Sequence, residues 1–141
     1  GREECWLPPG TGRDHRLRAR ELLATHPAFA STPPDDGATV DPEAGAERVR
    51  GRLAENAGIV LLSPLPDDGV VAAARRFAAH GHAVSVVSPD ATGSATPGQR
   101  LAAVERTHRI RRLGRAGIRV VDWPSDRPLA VAVERAMEAS A

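Results

Sequence analysis

Ile59-Val60-Leu61-Leu62-Ser63-Pro64 and Ala83-Val84-Ser85-Val86-Val87-Ser88-Pro89 decide the fold. Each is a short, largely apolar run rich in β-branched residues, and each closes on the same Ser-Pro pair. Strands hidden on both faces read as near-continuous apolar runs, which is the pattern of a parallel sheet. Between the two, Asp68 or Gly69 opens a stretch that carries Val70, Val71, Ala74, Phe77 and Ala78 at helical spacing and closes near Gly81. Beyond the second run, Thr96-Pro97-Gly98-Gln99 is a capping box, with the Thr accepting from the backbone and the Gln reaching back. Its helix ends near Gly114 to Gly117, and Ile118-Arg119-Val120-Val121 follows as a third strand, stopped by Asp122-Trp123-Pro124. Asp126 is expected to cap a last helix carrying Leu129, Val131, Val133, Ala136 and Met137. Apolar strands alternating with helices predict a three-layer, doubly wound, mainly parallel α/β fold.

Upstream the pattern is looser. Glu4–Leu7 reads as a short strand stopped by Pro8-Pro9-Gly10, and a helix is expected from Asp14 to Thr25, ended by Pro27. Residues 30–40, rich in Pro, Asp and Gly, read as a mobile loop. Asp41-Pro42-Glu43 starts another helix, with an acid at the cap and Pro in the first turn, expected to run to Asn56 before Gly58.

Composition narrows the function classes. The 141 residues suit one α/β domain, and 41% hydrophobic content supplies a core. Aromatics are 3%, so that core is built from Val, Leu, Ile and Ala. Nineteen bases, all Arg, against 18 acids leave a net charge of +1, which argues against a general polyanion binder. No apolar run reaches the roughly 20 residues of a membrane-spanning helix. The single Cys5 allows no internal disulfide and no multi-cysteine zinc site, and a reducing, cytoplasmic setting is the expectation. No signal peptide is visible, and the chain opens without Met, as a piece of a longer protein would.

In open parallel sheets, ligands bind beyond the carboxyl ends of the strands. Those ends carry Ser63, Asp67 and Asp68, then Ser88, Asp90 and Thr92, then Asp122 and Asp126. Carboxylates and hydroxyls along one rim are the donors that a hard cation such as Mg²⁺ takes; caps and turns account for the same residues without any metal. Pro8-Pro9-Gly10-Thr11-Gly12-Arg13 lacks the Lys and the spacing of a phosphate loop and reads as a turn. Gly-x-Ser-x-Gly is absent, so hydrolase chemistry has no support. His80 and His82 flank Gly81 on the opposite edge of the sheet from the acids, and His108 reads as a partly exposed helix residue.

From Arg100 to Arg119 there are seven Arg (100, 106, 109, 111, 112, 115 and 119) and one acid, Glu105. Successive helix positions turn by about 100°, so these Arg spread around the helix. A solvated face, or one docking an acidic partner, fits better than nucleic acid, for which stacking aromatics are missing.

Trp6-Leu7-Pro8-Pro9-Gly10-Thr11-Gly12-Arg13-Asp14-His15, Val60–Asp68, Val86–Asp90, Thr96–Leu101 and Val120–Trp123, in that order and spacing, resemble the domain of unknown function 58 family, most closely its archaeal members. The likeness spans the chain apart from Ala30–Val40. It implies a von Willebrand factor A-like fold and a MoxR-type AAA ATPase as partner. Such domains hold a divalent cation with an Asp-x-Ser-x-Ser loop, a Thr from a second loop and an Asp after a later strand. The first loop is absent here, so residues 1–141 resemble the carboxyl-terminal part of such a domain. Thr11 matches the second-loop Thr. Ser63-Pro64 stands where a Ser-Asp or Thr-Asp pair is usual, leaving Asp67 as the substitute carboxylate. The implied metal ligands are Thr11 and Asp67, with Mg²⁺ as the ion.

The expected function is a non-enzymatic protein-interaction (adaptor) domain, cation-assisted and partnered by the ATPase. Thr11, Ser63, Asp67, Asp90 and Asp122 are the candidate ligand- or partner-binding residues. The alternative is a small-ligand or nucleotide-binding α/β domain using the same strand edge. Open sheet edges further predict a homo-oligomer.

Overall fold

The computed structural model describes residues 5–30 and 41–139. The chain divides into two compact units, Gly1–Thr39 and Val40–Ala141.

The first unit holds helix α1, Gly12–Thr25, and a short 3-10 turn, Pro27–Phe29. Thr11 occupies the N-cap of α1 in extended conformation without a side-chain capping bond. His26 ends the helix and accepts through Nδ1 from the Ala28 amide at 3.1 Å, starting the 3-10 turn. Cys5–Leu7 forms no strand, and Glu4, the start of the expected one, lies outside the described residues, as does most of the expected loop from Ser31 to Val40.

The second unit runs α2 (Pro42–Arg50), β1 (Ile59–Leu62), α3 (Gly69–Ala79), β2 (Val84–Pro89), α4 (Pro97–Arg115), β3 (Arg119–Trp123) and α5 (Leu129–Ala139). Asp41 caps α2 by accepting from the Glu43 amide at 2.9 Å. That helix stops at Arg50, short of the expected Asn56. The Arg52 and Leu53 amides turn back to the Val49 and Arg50 carbonyls and close it as tight turns. The three strands form one parallel sheet in the order β1-β2-β3. Register aligns Leu61 with Val86 and Val86 with Val120, so Ile59, Leu61, Val84, Val86 and Val120 share one face. On that face α3 and α4 bring in Val71, Ala74, Phe77 and Leu113 to complete the core.

Helices α3 and α4 return to the sheet by the same device. Gly81 and Gly117 take φ of +89° and +79°, the left-handed conformation that glycine adopts without strain. The next amides, His82 and Ile118, donate back to Phe77 O and Leu113 O, each at 3.1 Å. These are Schellman closures, each with an apolar clasp: the His82 ring stands edge-on to Phe77, and Ile118 and Leu113 are both buried. His82 Nδ1 also bonds Ala57 O at 2.8 Å, which makes it a satisfied core histidine.

The opposite face is covered unevenly. Helix α5 packs on β3, whose Val121 is 5% exposed, and buries its own Ala132. Val60 and Leu62 of β1 point to the same face and are each 71% exposed. Among the described residues no helix is long and apolar enough to cross a membrane.

Candidate functional site

The carboxyl ends of the three strands gather the expected acids of the second unit, and α4 turns three of its arginines, Arg106, Arg109 and Arg112, toward them. Arg106 is the centre. Its side chain is 5% exposed. Nη2 donates to Asp122 Oδ1 at 2.7 Å, to Ser88 O at 2.9 Å and to Ser88 Oγ at 3.2 Å. Nη1 lies 3.8 Å from Asp90 Oδ2, an ion pair too long for a hydrogen bond. Nε is buried with no hydrogen-bond partner. One guanidinium thus ties the ends of β2 and β3 to the helix connecting them.

The neighbouring arginines do the same for the loop after β1. Arg109 Nε and Arg112 Nη1 both reach Asp68 Oδ1, at 3.0 and 3.1 Å. Arg109 Nη1 also donates to Leu65 O at 3.3 Å. Leu65, buried, holds φ +56°, a left-handed conformation that costs a non-glycine residue roughly 1 kcal/mol or more. It is fixed by its amide donating to Ser63 Oγ at 3.0 Å and by the Arg109 contact to its carbonyl. The hydrogen bond from Arg109 holds the Asp68 carboxyl below the ordinary carboxylate range, aided by the charge of Arg112.

Asp90 closes the loop after β2. Its Oδ1 accepts from the Thr92 hydroxyl at 2.6 Å and the Thr92 amide at 3.0 Å. These bonds, the hydroxyl's first, lower the Asp90 carboxyl, with the charge of Arg106 adding to them. Next, the capping box forms as expected: Thr96 Oγ1 accepts from the Gln99 amide at 3.1 Å, and Gln99 Oε1 accepts from the Thr96 and Ala95 amides. Gly93 makes room for it, since a Cβ there would lie 2.6 Å from Gln99 Cδ.

Each expected site residue now has a place. Ser63, Asp90 and Asp122 stand on the rim, and all three are engaged within the chain. Asp67 accepts from the Gly69 amide at 2.9 Å, making the local bond at the start of α3 that was expected of Asp68, while Asp68 is committed to arginines. Asp126 does not cap α5, which begins three residues later at Leu129 after Pro128. The loop there is closed instead by Trp123 Nε1 donating to Arg127 O at 2.7 Å. Thr11 belongs to the first unit. Within the second unit, Asp67 is the one implied metal ligand, and no cluster of three His, Cys, Asp or Glu set to hold a metal ion occurs among the described residues.

The solvated arginine face is corrected in part. Arg106, Arg109 and Arg112 dock on the chain's own acids, while Arg111 and Arg115 point outward without an ion pair among the described residues. The signal for this was in the spacing: Arg106, Ile110 and Leu113 stand at i, i+4 and i+7, one helical stripe, and Leu113 is fully buried.

Between the loop after β1, the loop after β2 and the first turns of α4 lies a groove of about 380 Å³. Pro64, Leu65 and Pro66 wall one side, with Thr92 and Gly93 on the other. Its lining holds two guanidinium groups, Arg106 and Arg109, and one carboxylate, Glu105. Comparison with family models, with characterised proteins and with solved structures finds no match for this chain.

Proposed function

We propose that the domain is a non-enzymatic binding module that takes a small ligand bearing a carboxylate or phosphoryl group in this groove. The observation that carries the reading is the buried Arg106 with hydrogen-bonding capacity left over. A guanidinium offers five N–H donors. On Arg106, Nη2 is engaged, Nε has no partner, and Nη1 faces Asp90 at 3.8 Å, beyond hydrogen-bond length. Buried donors without acceptors cost free energy, and an anionic ligand group supplies acceptors in the geometry guanidinium prefers. The rim acids, by contrast, are already paired, so they support a cation bridge less well than the sequence implied. This favours the small-ligand reading over the cation-assisted adaptor.

The test is calorimetric titration with inorganic phosphate, pyrophosphate and short dicarboxylates, together with thermal denaturation. Binding of one of these is expected to raise the melting temperature. Arg109→Gln, at the mouth of the groove, is expected to weaken it at least tenfold. No heat and no shift with any of them at millimolar concentration sinks the reading.

A second reading has one observation in its favour. Arg111 and Arg115 are exposed one turn apart on α4 and unpaired among the described residues, a basic strip suited to an acidic protein surface. The resemblance to the domain of unknown function 58 family and its von Willebrand A-like fold would make that partner a MoxR-type AAA ATPase. An Arg111→Glu/Arg115→Glu variant that binds such an ATPase as well as the parent chain removes this reading.

A further inference from the structure

We infer that the ligand of the groove beside α4 carries an amino group as well as its anionic one: a short aliphatic amino carboxylate held between Arg106 and Glu105. The inference rests on the anion-binding reading of that groove and comes from which of its charges are already spent. Arg106, Arg109 and Arg112 face Asp68, Asp90 and Asp122, three guanidinium groups against three carboxylates, so this network is neutral in itself. Glu105 stands outside it. It lines the groove with Arg106 and Arg109 and makes no ion pair among the described residues. Its natural helical partner is Arg109, one turn on, at the spacing where a Glu–Arg pair forms. That guanidinium is drawn away instead, to Asp68 Oδ1 at 3.0 Å and Leu65 O at 3.3 Å.

The two ends of the groove's chemistry therefore differ in sign. Arg106 has donors left over for an anionic group, as its Nε has no partner and its Nη1 lies 3.8 Å from Asp90. A bare anion taking them lies next to the uncompensated carboxylate of Glu105 and is repelled by it. An ammonium on the same ligand turns that repulsion into a second ion pair. Pro64, Leu65, Pro66, Ala91 and Ala102 give apolar wall for the carbon stem between the two charged ends. Arg106 is then the anchor, and Glu105 the residue that sets specificity.

Calorimetric titration of the 141-residue chain tests this with glycine, β-alanine and γ-aminobutyrate, each beside its amine-free counterpart, acetate, propionate or butyrate, and with butylamine. At least one amino carboxylate is expected to bind about fivefold or more tightly than its counterpart, the worth of one ion pair in a groove open to water. Glu105→Gln, an exposed position on α4, should keep the circular dichroism, lose that preference and bind the plain carboxylate more tightly than the parent chain does. Equal binding of amino and plain carboxylates, a preference that survives Glu105→Gln, or binding of phosphate or a dicarboxylate with none by the amino carboxylates overturns this inference and leaves the anion-binding reading standing. Butylamine bound as tightly as γ-aminobutyrate, or silence from every probe including phosphate and the dicarboxylates, overturns both.

Discussion

β1 and β3 are the two outer strands of one parallel sheet, and the chain treats them differently. β3 carries Arg119 and Asp122 within its five residues, has α5 packed on it, and is tied at its carboxyl end to Arg106. β1 has four apolar residues and no charge, and among the described residues of the second unit Val60 and Leu62 are left exposed on one face. Both strands feed the same core on the α3 and α4 side. The contrast teaches that burial of one face is enough to hold a strand in register, while the outer edge and the second face are left for other uses.

Substitution can break this contrast. Arg106→Met keeps the bulk but removes the bonds to Ser88 O, Ser88 Oγ and Asp122. At about 1 kcal/mol per hydrogen bond it should cost about 3 kcal/mol in urea denaturation. Val121→Ala, on the covered strand, should cost about 2 kcal/mol by lost burial and a residual cavity. Gly117→Ala forces a side chain into the left-handed conformation at the turn into β3 and should cost about 1 kcal/mol. Leu62→Ala, deleting more carbon than Val121→Ala but from the bare strand, should change monomer stability by no more than about 0.5 kcal/mol. Equal losses at Val121 and Leu62 would mean that β1 is covered in solution.

The smallest effect expected is one of pH. The Asp90 carboxyl is held below its unfolded value, chiefly by the Thr92 hydroxyl. Its contribution is complete above the unfolded pKa of about 3.9 and is lost as pH falls through the lower folded value. The urea midpoint should therefore decline on acidification below about pH 4, less steeply in Asp90→Asn. β1, with no titratable group from Ile59 to Leu62, adds nothing to that slope.

The parallel α/β pattern was legible because apolar runs and helical spacing report burial directly, and the Thr96–Gln99 capping box because it is a local, self-contained motif. Elements of the second unit lie within a few residues of expectation, apart from α2 and the cap of α5. Arg106 was not legible in the same way. Charge counting placed it among six other arginines, and only its position on the Ile110–Leu113 stripe marks it as buried. The division of labour between Asp67 and Asp68 was hidden for another reason. Adjacent acids at a helix start are interchangeable in a pattern, and the choice depends on Arg109 and Arg112 arriving from 41 and 44 residues away. Which face of β3 is covered within the second unit follows from where α5 lands.

Arg106 also has a bearing on how the molecule breathes. Because one side chain grips the ends of both β2 and β3 from the helix that links them, these three elements should open together in native-state hydrogen exchange. Their slowest amides are expected to share one protection factor, and Arg106→Met to lower it for all three at once. Helix α2, outside that clasp, should exchange on its own schedule.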